Sequence, residues 1–229
     1  HEFLEIAEQN GLMPVIDRIA AQKAFAALAD LKQAGHEDLR ISINVSTASL
    51  NGEYFVASLC NLAEEHGIAP DEITVEVLET NLLDGGNGAN LDAIRELASE
   101  GFYLELDDFG MGYAGLAHLT RLATNGLKID RSMTRNMLLD PATFTIIRAV
   151  IGLCQELSMS VVAEGVEEVE QAELLQEAGC DIIQGFGVGH PMPLALAKSW
   201  LEDVSQSPVI CSIISPDALE DEFREFLAS

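Results

Sequence analysis

Basic residues are scarce in this chain. Twelve lysines and arginines face 38 aspartates and glutamates, for a formal net charge of −26 over 229 residues. A surface of that sign repels phosphate backbones and anionic headgroups, which argues against DNA binding and against membrane contact by this domain. Cysteines are also few. Cys60, Cys154, Cys180 and Cys211 are scattered, with no CxxC pair and no Cys/His spacing suited to zinc. They read as reduced core residues, and the expected setting is the cytoplasm. Apolar runs long enough to cross a bilayer are lacking, as are a signal peptide, a low-complexity linker and a tandem repeat. The first residue is His1 rather than Met, so the chain reads as a piece of a longer protein, which could carry a membrane anchor elsewhere.

What is present is apolar patterning. Hydrophobic residues make up 48% of the chain, enough for one domain over 1–229 with a large core. Strand patterns at 39–45, 72–78, 102–107, 126–129, 159–163 and 181–184 alternate with helix patterns. The helices are expected at about 14–34, 53–66, 90–100, 114–123, 142–158, 167–178, 194–204 and 216–227. In the first of them Val15, Ile16, Ile19, Phe25, Leu28 and Leu31 are taken as one apolar side. Strands alternating with helices imply a parallel sheet covered by helices, either an open doubly wound sheet or a closed β/α barrel.

The strand ends favour the barrel. Asn44 ends the first strand, Glu76 lies near the end of the second, and Asp107 and Asp108 end the third. Lys128, Glu164 and Gln184 mark the ends of the next three. A β/α barrel gathers such ends on one face, where active sites lie, whereas an open sheet spreads them along an edge. Each residue alone is unexceptional, since an Asp before a glycine-rich turn is most often a turn residue. Together, so many carboxylates cannot all stay ionised at close range without a cation. An oxygen-rich, sulfur-free set suits Mg²⁺ or Mn²⁺. Adjacent acids such as Asp107 and Asp108 can help hold two metals, which clamp a phosphodiester and activate a water. Lys128 adds a positive charge suited to a phosphate oxygen or to that water. Weaker motifs fall away: Asp108-Phe109-Gly110 lacks the other kinase segments, and Gly185–Gly189 lacks the P-loop spacing and lysine. The five histidines form no HExxH pair, and His190 reads as a loop residue near the site.

The blocks NVS (44–46), EVLET (76–80), DDFGMGY (107–113), KIDRS (128–132), AEGVE (163–167) and GCDIIQGFGVGHP (179–191) resemble the EAL domain of bacterial cyclic di-GMP phosphodiesterases. The resemblance covers nearly the whole chain, including the stretch Phe3–Met13. It implies an α/β fold, a modified TIM-like (β/α)8 barrel with one antiparallel strand, and hydrolysis of cyclic di-GMP to linear pGpG with Mg²⁺ or Mn²⁺ in a two-metal site, inhibited by calcium. By resemblance, Asn44, Glu76 and Asp107 hold one metal, and Asp107 bridges to a second shared with Asp108 and Glu164. Lys128 holds the nucleophilic water, and Lys128, Glu164 and Asp108 carry the catalysis. Glu167, Gln184 and Pro191 line the substrate site, while Glu79 anchors the loop Phe109–Gly115. Asp130 is structural. A homodimer is expected, and an upstream sensor or GGDEF domain in the full-length protein.

Departures from the family pattern accompany this. The EAL signature strand, with its metal-binding glutamate and a following arginine, would precede His1, so the barrel's first strand is absent from the chain as written. Leu78, Met111, Ala114 and Gly115 stand where the family prefers threonine or serine, and His190 replaces a usual basic residue before Pro191. Glu105 stands where the family keeps a small apolar residue. An unpaired buried carboxylate is costly, so Glu105 is expected to pair with a base such as Arg40. Two rival readings accompany the phosphodiesterase. One is an inactive domain of the same fold that binds cyclic di-GMP or a protein partner. The other is an enolase-like barrel with Lys128 as proton-abstracting base.

Overall fold

Residues 2–78, 89–110 and 124–206 are described by a computed structural model. The chain divides into two compact units, His1–Gly126 and Leu127–Ser229.

In the first unit the alternation of the strands builds a sheet with two unlike faces. Strands β1 (Ile41–Val45), β2 (Ile73–Leu78) and β3 (Tyr103–Phe109) run parallel in that order. Ile43, Val45, Val75, Val77, Leu104 and Leu106 are buried, and their shared parity puts them on one face. Helices α1 (Glu2–Gln9), α2 (Met13–Gln33), α3 (Thr47–Leu50), α4 (Phe55–His66) and α5 (Ala89–Ser99) surround it. α2 contacts β1, α5 contacts β3, and α4 contacts both helices. Residues of the other parity make the second face, which is largely polar: Ser42, Asn44, Thr74, Glu76, Glu105 and Asp107.

The buried side of α2 differs from the expected one. Ala21, Phe25, Leu28 and Leu31 are buried, whereas Val15 and Ile19 are 56% and 49% exposed. At about 100° per residue, Val15 and Ile19 fall about 140° and 180° around the helix from Leu28, and the six apolar positions spread over most of its circumference, so they never formed one stripe. The short α1 and α3 also escape the sequence pattern, because eight and four residues hold too few turns for a period to register. The α3 start is a side-chain cap: Ser46 Oγ accepts a hydrogen bond from the Ser49 amide at 3.3 Å. α4 ends as read, on Gly67 in the left-handed conformation at φ 66°.

In the second unit β4 (Gly126–Ile129), β5 (Ser160–Ala163) and β6 (Ile182–Ile183) are neighbours in that order, and β5 and β6 pair in parallel. Their helices are α6 (Arg131–Asn136), α7 (Pro141–Glu156), α8 (Val169–Glu177) and α9 (Leu194–Gln206). Leu127, Ile129, Ile147, Ile151, Val161 and Leu175 form its apolar core. α6 was not expected. It starts where the buried Asp130 carboxylate accepts a hydrogen bond from the Ser132 amide at 2.8 Å, so the role of Asp130 here is capping. The helices expected at 114–123 and 216–227 lie outside the described residues.

Cys60, Cys154 and Cys180 are free thiols. Burial pushes the Cys154 and Cys180 thiols up to about 11, which leaves them protonated and unreactive at neutral pH. Among the described residues no helix is long and apolar enough to cross a membrane.

Candidate active site

Strand register assembles the acidic residues of the first unit into rows. Asn44 lies opposite Glu76, and Glu76 lies opposite Glu105. One row further toward the strand ends, Leu78 lies opposite Asp107. Neighbouring strands run about 4.8 Å apart, so Asn44, Glu76 and Glu105 stand side by side on one face. Asn44 is exposed, but Glu76, Glu105 and Asp107 are only 6%, 6% and 8% exposed. Three buried carboxylates on one sheet face are far outside what a surface would explain.

Local backbone chemistry sets the last two acids. Asp108 adopts a left-handed φ of 57°, an uncommon conformation for a residue with a side chain. Its amide donates to Asp107 Oδ1 at 2.9 Å, which fixes one oxygen of that carboxylate. The strand therefore ends with the two side chains turned by a sharp backbone change rather than by simple alternation. Left-handed residues of this kind cluster at functional sites.

A second anchor sits behind Asn44. Asp17 Oδ2 accepts three hydrogen bonds: from the Ser46 amide at 2.9 Å, Ser46 Oγ at 2.6 Å and Ser49 Oγ at 2.6 Å. It ties α2 to the turn that follows β1. Sequence reasoning passed over Asp17, and the only signal was Ser46 and Ser49 at capping spacing after the strand.

In the second unit Lys128 and Glu164 meet. Lys128 is 3% exposed and its Nζ lies 2.6 Å from Glu164 Oε1. The Glu164 amide donates to the Ile129 carbonyl at 3.0 Å, so the end of β4 and the end of β5 are fastened together at the pair. Glu167 turns instead to Arg135, with 2.7 Å between Glu167 Oε1 and Arg135 Nη2. Its amide and that of Glu168 donate to Gln171 Oε1 at 2.8 and 3.1 Å. The Arg135 partner lies 32 residues away, beyond any local sequence signal. Gln184 is held by its backbone, its amide donating to the Ala163 carbonyl and its carbonyl accepting from the Val166 amide. The following Gly185 has no room for a side chain, since a Cβ there would meet the Val166 carbonyl oxygen at 2.1 Å. Gln184 and His190 line a cavity of about 290 Å³ with Trp200. His190 stacks on Phe186 with ring centroids 4.6 Å apart, and Pro191 follows it, exposed.

Other expectations fare differently. Glu79 and residues 111–115 lie outside the described residues. Glu105 is buried as the alternation requires, but Arg40 does not face it. The Arg40 guanidinium carbon lies 4.5 Å from the Tyr103 ring centroid and the residue is exposed. Arg40 precedes β1 and falls four residues short of the Asn44 row, about 13 Å along a strand, so its side chain finds the tyrosine nearer its own level.

The model of the EAL domain family matches residues 1–191. The chain belongs to the EAL domain family. This EAL domain is 36% identical over 200 residues to the biofilm architecture maintenance protein MbaA of Vibrio cholerae, covering 87% of the chain and 25% of that protein. It is 35% identical over 201 residues to the cyclic di-GMP phosphodiesterase NbdA of Pseudomonas aeruginosa, covering 87% of the chain and 25% of that protein. The chain thus spans about a quarter of the length of these curated relatives. Among solved structures it is similar to the PaMucR phosphodiesterase in complex with c-di-GMP, with TM-score 0.79 and 33% identity over 84% of this chain and 77% of that one. It is also similar to BlrP1 of Klebsiella pneumoniae in a manganese and cyclic di-GMP complex, with TM-score 0.69 and 31% identity over 76% and 43% of the two chains. The fold of this EAL domain is accordingly α/β and TIM-barrel-like, as the polar strand ends had suggested.

Proposed function

We propose that this EAL domain hydrolyses cyclic di-GMP to linear pGpG in bacterial second-messenger signalling, with Mg²⁺ or Mn²⁺ as cofactor. The observation that carries the proposal is the run of oxygen donors at the ends of adjacent parallel strands: Asn44, Glu76 and the Asp107-Asp108 pair. The donor set fits a hard divalent cation, because it is all carboxylate and amide oxygen with neither thiolate nor imidazole. The relatives named as cyclic di-GMP phosphodiesterases, and the manganese complex of a similar structure, support the same reading.

The residues proposed to hold metal are Asn44, Glu76, Asp107, Asp108 and Glu164. When bound, a divalent pair neutralises charge on the phosphodiester and makes a water acidic near neutral pH. Lys128, as an ammonium, donates hydrogen bonds and accepts none, so it orients an oxygen, either of the attacking water or of the phosphate. Glu164 holds it in place through their ion pair. In the reaction the water oxygen forms a bond to one phosphorus, the bond from that phosphorus to the ribose 3′-oxygen breaks, and the leaving oxygen takes a proton. Glu167, Gln184 and Pro191 are proposed to border the nucleotide, with Glu79 behind the loop. In the longer protein we place this domain after a sensor or GGDEF domain, acting as a homodimer.

The test is cyclic di-GMP turnover with Mg²⁺ or Mn²⁺, followed by chromatography of pGpG. We expect Asp107→Asn to lower kcat at least 100-fold, in line with the loss of a charge-stabilising group (about 3 kcal/mol). Tight binding of intact cyclic di-GMP without turnover would instead select a receptor of the same fold.

A further inference from the structure

We infer that the cavity between α2 and α4 is a second binding site, one that takes a small acid with an apolar body and a single anionic head. It stands apart from the proposed hydrolytic site, because it opens on the other face of β1.

Helix spacing builds the walls. α2 lines the cavity with Pro14, Asp17, Arg18 and Ala21. α4 lines it with Phe55, Ser58, Leu59 and Leu62. Both sets repeat the i, i+3, i+4, i+7 spacing of one helix side. Ile43 and Val45 line it from the apolar face of β1. Asn44, between them, belongs to the polar face, so the cavity and the acid row lie on opposite sides of the strand.

Size and lining select the body of the ligand. The cavity volume is about 290 Å³. At about 30 Å³ for each water-sized group, it holds a body of roughly ten non-hydrogen atoms. Ala21, Ile43, Val45 and Leu59 are all buried, so the inner wall is hydrocarbon. Such a wall offers water few partners and favours an apolar occupant.

Charge selects the head. Arg18 is exposed where it lines the cavity, and among the described residues no hydrogen bond or ion pair holds its guanidinium. Tyr54, 72% exposed, and Ser58, also exposed, add two hydroxyls to the same rim. In a chain with 38 acids against 12 bases, a guanidinium left without a carboxylate beside an apolar cavity is a selective feature. It suits a ligand carboxylate, which it can hold through two parallel hydrogen bonds. Two acids of the lining limit the charge of that head. Asp17 turns one oxygen to Ser46 and Ser49, and Glu53 is exposed at the rim. Their repulsion weighs more on a doubly charged phosphate than on a single carboxylate.

Isothermal titration of the 229-residue chain with sodium octanoate tests this, with Arg18→Gln, Arg18→Lys and Ala48→Leu alongside. Ala48 also lines the cavity and is exposed, so a leucine there narrows the opening. Substitutions at exposed positions such as Arg18 and Ala48 leave the fold intact. Octanoate should bind one to one with a Kd below about 1 mM. Hexanoate should bind about fifteenfold more weakly, at about fourfold for each methylene withdrawn from the cavity. Arg18→Gln should weaken octanoate at least about tenfold and Arg18→Lys less. Ala48→Leu should weaken it by about tenfold through lost space. Octanoate affinity equal in Arg18→Gln and wild type would overturn the anionic head. Undiminished binding by Ala48→Leu would put the ligand elsewhere and overturn the site. Octylamine should fail to displace octanoate, and displacement at equal concentration would overturn the charge preference. No saturable binding of octanoate by the wild type up to about 10 mM would overturn the inference outright.

Discussion

At the scale of single residues, Asp17 shows how a side chain away from the acids can set their positions. One oxygen of its carboxylate collects an amide and two hydroxyl donors from the turn after β1, and Asn44 is two residues before that turn. Asp17→Ala would leave a part-buried amide and two hydroxyls short of an acceptor. Hydrogen bonds to a charged group are worth about 1.5–3 kcal/mol, so we expect a loss in that range in urea unfolding, with a smaller loss for Asp17→Asn. Metal affinity should fall in the same variants because the Asn44 end of β1 loosens. Unchanged unfolding midpoints would show that the turn holds itself. Lys128 and Asp108 belong to this scale as well. Their residue types were legible as chemistry in the sequence, but the 2.6 Å contact of Lys128 with Glu164 and the left-handed φ of Asp108 were not. Both depend on backbone segments brought together from a distance or on a local conformation that no periodicity reports.

At the scale of elements, boundaries were set by caps and breakers and were therefore readable. α7 illustrates this. Pro141 occupies its first turn, and the Asp140 carboxylate accepts from Thr143 Oγ1 at 2.8 Å and from the Ala142 amide at 3.0 Å. The Thr143 bond, then the Ala142 bond, holds the Asp140 carboxyl below its ordinary value of 3.8. A carboxyl depressed in the folded state adds stability above its unfolded value, and that stability fades as pH falls through the folded one. We expect Asp140→Ala to lower the melting temperature at pH 7, and the gap between variant and wild type to narrow as pH falls below 3.8. A gap that persists in acid would mean that the loss comes from helix packing and not from the ionised cap. Elements without a period long enough to read were missed, as with α3 and α6, each begun by a side-chain cap after a strand. The face of α2 was misread for the opposite reason. Its apolar residues are abundant, and only their angles around the axis show that Val15 and Ile19 point away from Leu28.

At the scale of the whole molecule, charge and fold separate cleanly. A net charge of −26 repels itself in the compact state. Raising NaCl from about 0.01 M to about 1 M shortens the Debye length from about 30 Å to about 3 Å, and we expect the metal-free melting temperature to rise across that range. A flat response would mean that the acids are already far apart or locally paired. The amino-acid sequence by itself determined the α/β class, the alternation of six strands with helices, and the acid-bearing strand ends. All of these follow from local spacing, because backbone period and capping chemistry are written in neighbouring residues. The tertiary structure alone decided which residues share a row, which charge meets which, and which apolar side of α2 is buried. Glu105 beside Glu76, Arg40 over Tyr103 and Glu167 with Arg135 join positions far apart in the chain. Strand register and side-chain reach select such partners only after the segments between them have folded.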